Sequence, residues 1–205
     1  MVKPKIFPKP RIGKNKFEEA LKKDKDLSKK EIALLSLPKK IRDVSLKRER
    51  NAVDLDSIKI TRLLNRQFIN NFKKGLSTEN RAQILHTHIT NPLKKEFGTA
   101  LPSSFDIKSL ISTNRQIAHK YELISVIDGK TGKTIGYTTL KIKKINVSSK
   151  NFDLFIKKNI NPENLKNGVY KKKLFENLSK IGIEVYFTPE TGYRLDKNFN
   201  YVIEK

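Results

Sequence analysis

The sequence contains no cysteine and no tryptophan, and one of its 205 residues is methionine. Without cysteine, disulfides, thiolate metal ligands and a cysteine nucleophile are excluded. No apolar run approaches the roughly 18 residues that a membrane-spanning helix needs, and none follows the basic start of the chain. We therefore expect no membrane span and no secretion signal, and a location in the cytoplasm or within a virion.

Acidic residues are also scarce, since 21 aspartates and glutamates stand against 44 lysines and arginines, for a net charge of +23. A field of this sign attracts polyanions, and phosphate contacts of this kind weaken as salt rises. We therefore expect nucleic acid, DNA or RNA, as the partner, or acidic subunits of a large assembly. An anionic membrane ranks below both. Nothing in the sequence indicates a small-molecule substrate or a cofactor.

Three parts of the chain differ in composition. Residues 1–27 begin with prolines between basic residues, which predicts an extended basic arm. Residues 28–117 carry helix signals and are expected to be mainly helical. Residues 118–205 are rich in β-branched and aromatic residues, and they predict an α+β domain with an antiparallel sheet and one or two helices. The expected fold class is therefore α+β.

The helices of the middle region are placed by caps and by apolar spacing. Ser28 and Glu31 form a capping box, and apolar residues three and four apart follow Asp56. A proline at position 92 ends a third segment, which holds two of the three histidines. Helices are thus predicted at residues 29–37, 57–74, 77–91 and 104–113.

The segment Asp128–Tyr137, DGKTGKTIGY, contains a Gly-Lys-Thr triplet. A phosphate-binding loop has the pattern G-x-x-x-x-G-K-[ST] and is followed by a helix. Here Ile127 stands where the first glycine is required, and residues 135–142 alternate as a strand does. The segment is therefore predicted to be the turn of a β-hairpin, which argues against a nucleoside triphosphatase.

His86 and His88 lie two residues apart in ILHTHIT. On a helix this spacing directs the side chains about 200° apart, whereas on a strand both lie on one face. Because this segment is predicted to be helical, and no HExxH-like spacing exists, we expect no metal site.

The function that these features favour is that of a non-enzymatic structural or assembly protein. It would belong to a large nucleic-acid-containing complex, a virion or a ribonucleoprotein particle, and bind phosphate backbone or neighbouring subunits. Basic residues of the arm, of residues 39–50 and of the hairpin would make these contacts, with one tyrosine able to stack on a base. These candidates are Lys3, Lys5, Lys9, Arg11, Lys39, Lys40, Arg42, Lys47, Arg48, Arg50, Lys130, Lys133, Tyr137, Lys141 and Lys143.

Two alternatives stay open. A small basic, metal-independent nuclease or toxin would use His119 or Glu122 as the base and Arg115 to stabilise the transition state. A subunit that binds an acidic protein partner would need no such residues. The nuclease would lose turnover on His119→Ala, and the acidic partner would stay bound after nuclease treatment of a lysate.

Overall fold

The structure is a computed structural model that describes residues 14–37, 40–49, 53–75, 83–90, 100–103, 106–111, 121–144, 154–155 and 168–204. Three helices separate runs of three or four strands along the described part of the chain. The helices are α1 (Lys14–Lys22), α2 (Ser57–Lys73) and α3 (Gly168–Lys180), and residues 106–111 form a short helical segment. The strands are β1 (Ala33–Leu37), β2 (Lys40–Asp43), β3 (Ser45–Arg48), β4 (Val53–Leu55), β5 (Gln83–Thr90), β6 (Tyr121–Asp128), β7 (Thr134–Ile142), β8 (Ile183–Pro189), β9 (Tyr193–Leu195) and β10 (Tyr201–Ile203).

A six-stranded mixed sheet dominates the fold, with the strand order β2-β1-β5-β6-β7-β8. Strands β5 and β6 are parallel, and every other pair in this sheet is antiparallel. Two small two-stranded sheets, β3-β4 and β9-β10, accompany it. The parallel pairing places the start of β6 beside the start of β5, so residues at these two strand ends become neighbours.

Both faces of the large sheet are covered. On one face, Phe17 and Leu21 of α1 pack against Leu34, Leu85 and Leu123. On the other face lie two apolar clusters, one formed with α2 on β1 and one formed with α3 and the 106–111 segment on β6 to β8. The strands are therefore buried on both sides, as continuous apolar runs predict.

The predicted α+β class is confirmed, and so is the secondary structure of the C-terminal part. The β6-β7 hairpin, α3 and strands β8 to β10 all form where expected. In the hairpin turn, Gly132 has a φ of 67°, and its backbone N–H donates to the carbonyl of Asp128. A strand follows this turn, so the segment lacks the helix on which a phosphate-binding loop depends.

The predicted helical character of residues 28–117 is wrong in two places. Residues 29–37 and 77–91 were expected to be helices, but β1 and β5 form there instead. A short apolar run is compatible with a buried strand or with a helix, so the capping-box and proline signals led to the wrong prediction. In β5, the consecutive residues Ile84 and Leu85 pack into different core clusters on opposite faces of the sheet. Only a strand that is buried on both faces allows this.

Helix α2 is confirmed. Asp56 caps it by accepting a hydrogen bond from the Lys59 N–H. The predicted helix at 104–113 is confirmed over residues 106–111, where Ile107 and Leu110 are buried. The apolar stripe of α2 is buried in its first half, whereas the side chains of Phe68, Ile69 and Phe72 are exposed.

Part of the predicted basic arm is folded, because α1 lies within residues 1–27 and contributes to the core. Residues 1–13 lie outside the described residues. The large sheet joins strands from 28–117 with strands from 118–205. In the described part of the chain, no helix has the length and apolar character to cross a membrane.

Tyr201 of β10 fastens the small C-terminal hairpin onto the large sheet. Its hydroxyl donates to the carbonyl of Tyr137 and accepts from the Thr188 N–H at 3.2 Å. Its ring covers Gly136, where a Cβ atom would lie 2.6 Å from the ring carbons. The absence of a side chain at position 136 is therefore what allows the ring to dock.

We expect Gly136→Ala to lower the free energy of unfolding by about 1–3 kcal/mol, because the ring and strand must shift to admit a methyl group. Urea denaturation measures this change. In a Tyr201→Ala background the same substitution should cost less than about 1 kcal/mol, since the obstructing ring is gone. An equal cost in both backgrounds would contradict this contact.

Candidate metal centre

Strand β5 places His86 and His88 on the same face of the large sheet, between the two apolar clusters that cover that face. Alternation along the strand directs Leu85 and Ile89 to the opposite face, where they pack under α1. His86 is buried, and His88 is partly buried with 16% of its side chain exposed. The strand thus delivers the shared face that a helix would have prevented.

Asp106 reaches the same place from the start of the 106–111 helical segment. Its carboxylate accepts a hydrogen bond from the Ser103 N–H, and its own N–H donates to the Ser103 hydroxyl at 3.2 Å. This reciprocal pair is a capping box, which fixes the first turn of the segment and the direction of the carboxylate. The buried residues Ile107 and Leu110 anchor the segment on the sheet.

Two imidazole nitrogens and the Asp106 carboxylate converge on one point. His86 Nε2 lies 3.2 Å from His88 Nε2 and 3.1 Å from Asp106 Oδ1. His88 Nε2 lies 3.4 Å from the other carboxylate oxygen, Oδ2. Three ligand atoms bound to a tetrahedral zinc ion at its usual bond lengths are separated by about 3.3 Å. Asp106 meets the two imidazoles through different oxygens, and one ligand atom from each of the three side chains lies within 4.8 Å of the others, so the three can hold one metal ion.

Glu31 faces this trio from β1. The antiparallel register pairs Ala33 with His86, and extending it by two residues sets Glu31 opposite His88. Its carboxylate is 5% exposed and accepts a hydrogen bond from the Ile89 N–H. Burial raises the pKa of Glu31 to about 7, although the charges of His88 and His86 act in the opposite direction. A carboxylate with such a pKa exchanges protons near neutral pH.

The backbone of Glu31 is held from the β3-β4 side. Its N–H donates to the carbonyl of Glu49, and its carbonyl accepts from Nε of Arg48 at 2.9 Å. The Arg48 guanidinium is in turn paired with Asp24 at 2.8 Å. These contacts fix the chain just before β1 and so fix where the Glu31 carboxylate lies.

Glu122 at the start of β6 completes the cluster. Its Oε1 accepts a hydrogen bond from Nδ1 of His86 at 3.0 Å, and the side chain is 2% exposed. The other oxygen, Oε2, is buried and has no hydrogen-bond partner among the described residues. In the described part of the chain, every buried acidic side chain belongs to this cluster, namely Glu31, Asp106 and Glu122.

The charges of the cluster compensate one another. Burial acts to lower the pKa of His86, but the carboxylates of Asp106 and Glu122 outweigh it and hold that pKa well above its usual value. The pKa of His88 is raised in the same way by Asp106. Burial acts to raise the pKa of Asp106, yet both imidazoles hold it well below its usual range. Without a metal, two imidazolium rings therefore offset two of the three buried carboxylates, and the third, Glu31, has a pKa raised to about 7.

A divalent cation can take the place of those two protons. Nitrogen and carboxylate ligands of this kind hold zinc in catalytic sites that keep a coordination position open for water or substrate. The same donor set also occurs in non-haem iron enzymes. The nearby Glu31 carboxylate, with its raised pKa, suits the removal of a proton from water.

The predicted phosphate-binding residues are dispersed over the structure. Lys130 and Lys133 are exposed at the hairpin turn, and Arg42 is exposed on β2. Lys40 lies on β2, and Lys141 is half-buried with its Nζ 5.7 Å from the Tyr121 ring centre. Four candidates are engaged in contacts: Lys47 with Glu49, Lys143 with Glu184, Arg48 with Asp24, and Tyr137, whose buried hydroxyl donates to Glu18. Outside the described residues lie Lys3, Lys5, Lys9, Arg11, Lys39 and Arg50.

Of the three residues of the nuclease alternative, the structure describes Glu122. Glu122 is buried against His86, and Arg115 and His119 lie outside the described residues. The sequence reasoning missed His86, His88, Asp106 and Glu31 as a group. The signal that could have found them is His-x-His on a strand, followed by a Ser-x-x-Asp cap at 103–106.

No protein-family model matches the chain, and no curated protein is similar to it. The function is therefore inferred from the arrangement of the cluster.

In the metal-free protein, Glu31→Gln should become more stable relative to the wild type as pH rises. The pKa of Glu31 is raised from 4.5 to about 7, so its contribution to stability is present below pH 4.5 and is lost as pH rises through 7. Glutamine cannot ionise and avoids this loss. Between pH 4 and pH 8 the difference in unfolding free energy should change by up to about 3 kcal/mol.

Urea denaturation in the presence of a chelator measures this difference, with Glu19→Gln on the exposed face of α1 as the control. A Glu31→Gln difference that stays constant over this pH range would contradict the burial of an ionisable carboxylate at position 31.

Proposed function

We propose that this protein is a metal-dependent hydrolase that cleaves amide bonds, with zinc held by His86, His88 and Asp106. The single observation that carries the proposal is the convergence of these three side chains, two buried and one partly buried, at separations of 3.1–3.4 Å, beside Glu31. Bound zinc would lower the pKa of a coordinated water and polarise a carbonyl oxygen.

Glu31 is the general base in this proposal. Its carboxylate is close enough to the trio that His88, His86 and Asp106 all act on its pKa. A base with a pKa near 7 accepts a proton from water in neutral solution and can return it to the leaving amine. The hydrogen bond from Ile89 and the backbone contacts of Arg48 and Glu49 keep this carboxylate in place.

Amide bonds fit this site better than phosphodiesters do. Enzymes that cleave phosphodiesters commonly use two metal ions, which hold the attacking and the leaving oxygens. Among the described residues, one group of three ligands lies within the required distance. A single metal ion with an adjacent carboxylate base is the arrangement of metallopeptidases.

The test is zinc-dependent cleavage of a mixture of acidic and neutral quenched-fluorescent peptides. We expect the wild type to bind one zinc ion per chain and to cleave part of the mixture. Glu31→Gln should keep the zinc and lose a factor of about 10²–10⁴ in kcat, because the base is removed and the ligands remain. His88→Ala should lose both the zinc and the activity.

Glu19→Gln on the exposed face of α1 is the control, since α1 covers the opposite face of the sheet from the trio, and it should keep zinc and activity. Elemental analysis of the purified protein separates zinc from iron. Stoichiometric zinc without any peptide cleavage would contradict the hydrolase, and full activity of Glu31→Gln would contradict the assigned base.

The net charge of +23 favours a second candidate function, which is the binding of nucleic acid. This function stays a prediction. The acidic protein partner and the structural role in a virion or ribonucleoprotein particle also stay predictions. We expect affinity for short DNA and RNA duplexes that falls linearly with salt on logarithmic axes. Deleting residues 1–13, which spares Phe17 and Leu21 of the core, should reduce both the affinity and this slope.

Fluorescence anisotropy over a salt series measures the binding, and a denaturing gel of the same samples shows whether strands are cut. Negligible binding at low salt would contradict this candidate. Cut strands that depend on His119 would favour the nuclease.

A further inference from the structure

We propose that Glu122 is a positioning residue of the metal centre, which orients the His86 imidazole and fixes the nitrogen that faces the metal. This inference rests on the proposed function. It concerns a residue that binds neither metal nor substrate and acts through His86.

His86 and Glu122 are in direct contact and are shielded from solvent. Nδ1 of His86 and Oε1 of Glu122 are 3.0 Å apart, with side-chain exposures of 6% and 2%. A hydrogen bond between them keeps a proton on Nδ1, so Nε2, which faces His88 and Asp106, is the nitrogen left to give up its proton to a metal. An outer carboxylate of this kind fixes the tautomer of a ligating histidine and raises its basicity.

His86 and Glu122 lie on β5 and β6, the one parallel pair of the large sheet. The register of β5 and β6 sets Ile84 beside Glu122 and His86 beside Ile124, all on the face that carries the trio. Glu122 is therefore diagonal to His86 on the neighbouring strand, within reach of its ring. The apolar neighbours Ile124 and Val126 continue the core on the same face, so a charged residue here has no packing rationale.

The retention of a buried carboxylate requires a specific partner. Glu122 is 1% exposed, and its Oε2 has no hydrogen-bond partner among the described residues. Burying an ionisable group in this way is costly, and an apolar residue would fill the position more favourably. The hydrogen bond to His86 is the compensating contact, which assigns Glu122 to the site and not to the core.

The test compares zinc affinity in the full chain, measured by competition with a chromogenic chelator. Glu122→Ala should bind zinc about 10–100-fold more weakly than the wild type, the range found for outer-shell partners of metal ligands. The zinc affinity of Glu122→Gln should lie between those of the wild type and Glu122→Ala, because its amide oxygen still accepts the hydrogen bond from the Nδ1–H. Ile124→Val, a packing change on the same strand and face, should stay within twofold of the wild type.

The nitrogen-15 chemical shifts of the histidines report which ring nitrogen carries the proton, and a loss of packing alone would not change this. In zinc-loaded wild type and Glu122→Gln, His86 should carry its proton on Nδ1 and bind the metal through Nε2. This result decides the matter if Glu122→Ala does not fold. Zinc affinity of Glu122→Ala within twofold of the wild type, or His86 protonated on Nε2 in the zinc-loaded wild type, would overturn the inference.

The zinc measurement also separates this inference from the proposed function. Wild type that binds no zinc would overturn both. Wild type that binds zinc no more tightly than Glu122→Ala does would overturn the role of Glu122 alone. A glutamine variant as weak as the alanine variant would assign the effect to charge or packing and would likewise overturn the orienting role.

Discussion

Two imidazoles and three carboxylates can share the interior of a sheet only if their charges compensate, because burying an unpaired charge is prohibitively costly. The architecture around the cluster serves this requirement. The antiparallel β1 brings Glu31 across from His88, the parallel β6 brings Glu122 to His86, and a capped helical segment delivers Asp106. Without a metal, protons on the two imidazoles offset two of the three carboxylates, and a divalent ion in place of those protons would leave the net charge unchanged.

This interior contrasts with the composition of the whole chain. The protein has 44 basic residues against 21 acidic ones, yet each buried acidic side chain of the described part lies in the one cluster. A composition average hides such a site, because three carboxylates hardly alter a net charge of +23. The net charge describes the exterior, whereas the properties of a buried site depend on its local arrangement. A basic exterior and a metal-binding interior are therefore compatible in one molecule.

Sequence signals predicted the elements whose patterns are local and failed where burial overrode them. The β6-β7 hairpin is indicated by Gly132, and α2 by the apolar residues three and four apart that follow Asp56. By contrast, ILHTHIT is buried on both faces, so its apolar residues do not alternate with polar ones, and Pro92 favoured a helix that ends before it. That one error concealed the site, since the two histidines share a face on a strand and diverge on a helix. The approach of Glu31 depends on pairing between strands about 50 residues apart, which no local pattern encodes.

The most direct measurement of the metal centre is X-ray diffraction at the zinc absorption edge, from crystals grown with zinc. We predict an anomalous peak at one site, bonded to Nε2 of His86, Nε2 of His88 and the Asp106 carboxylate, with Glu31 beside the open coordination position. A zinc ion bound elsewhere in the chain, with these three side chains still in direct contact with one another, would contradict the assignment of the metal centre to them.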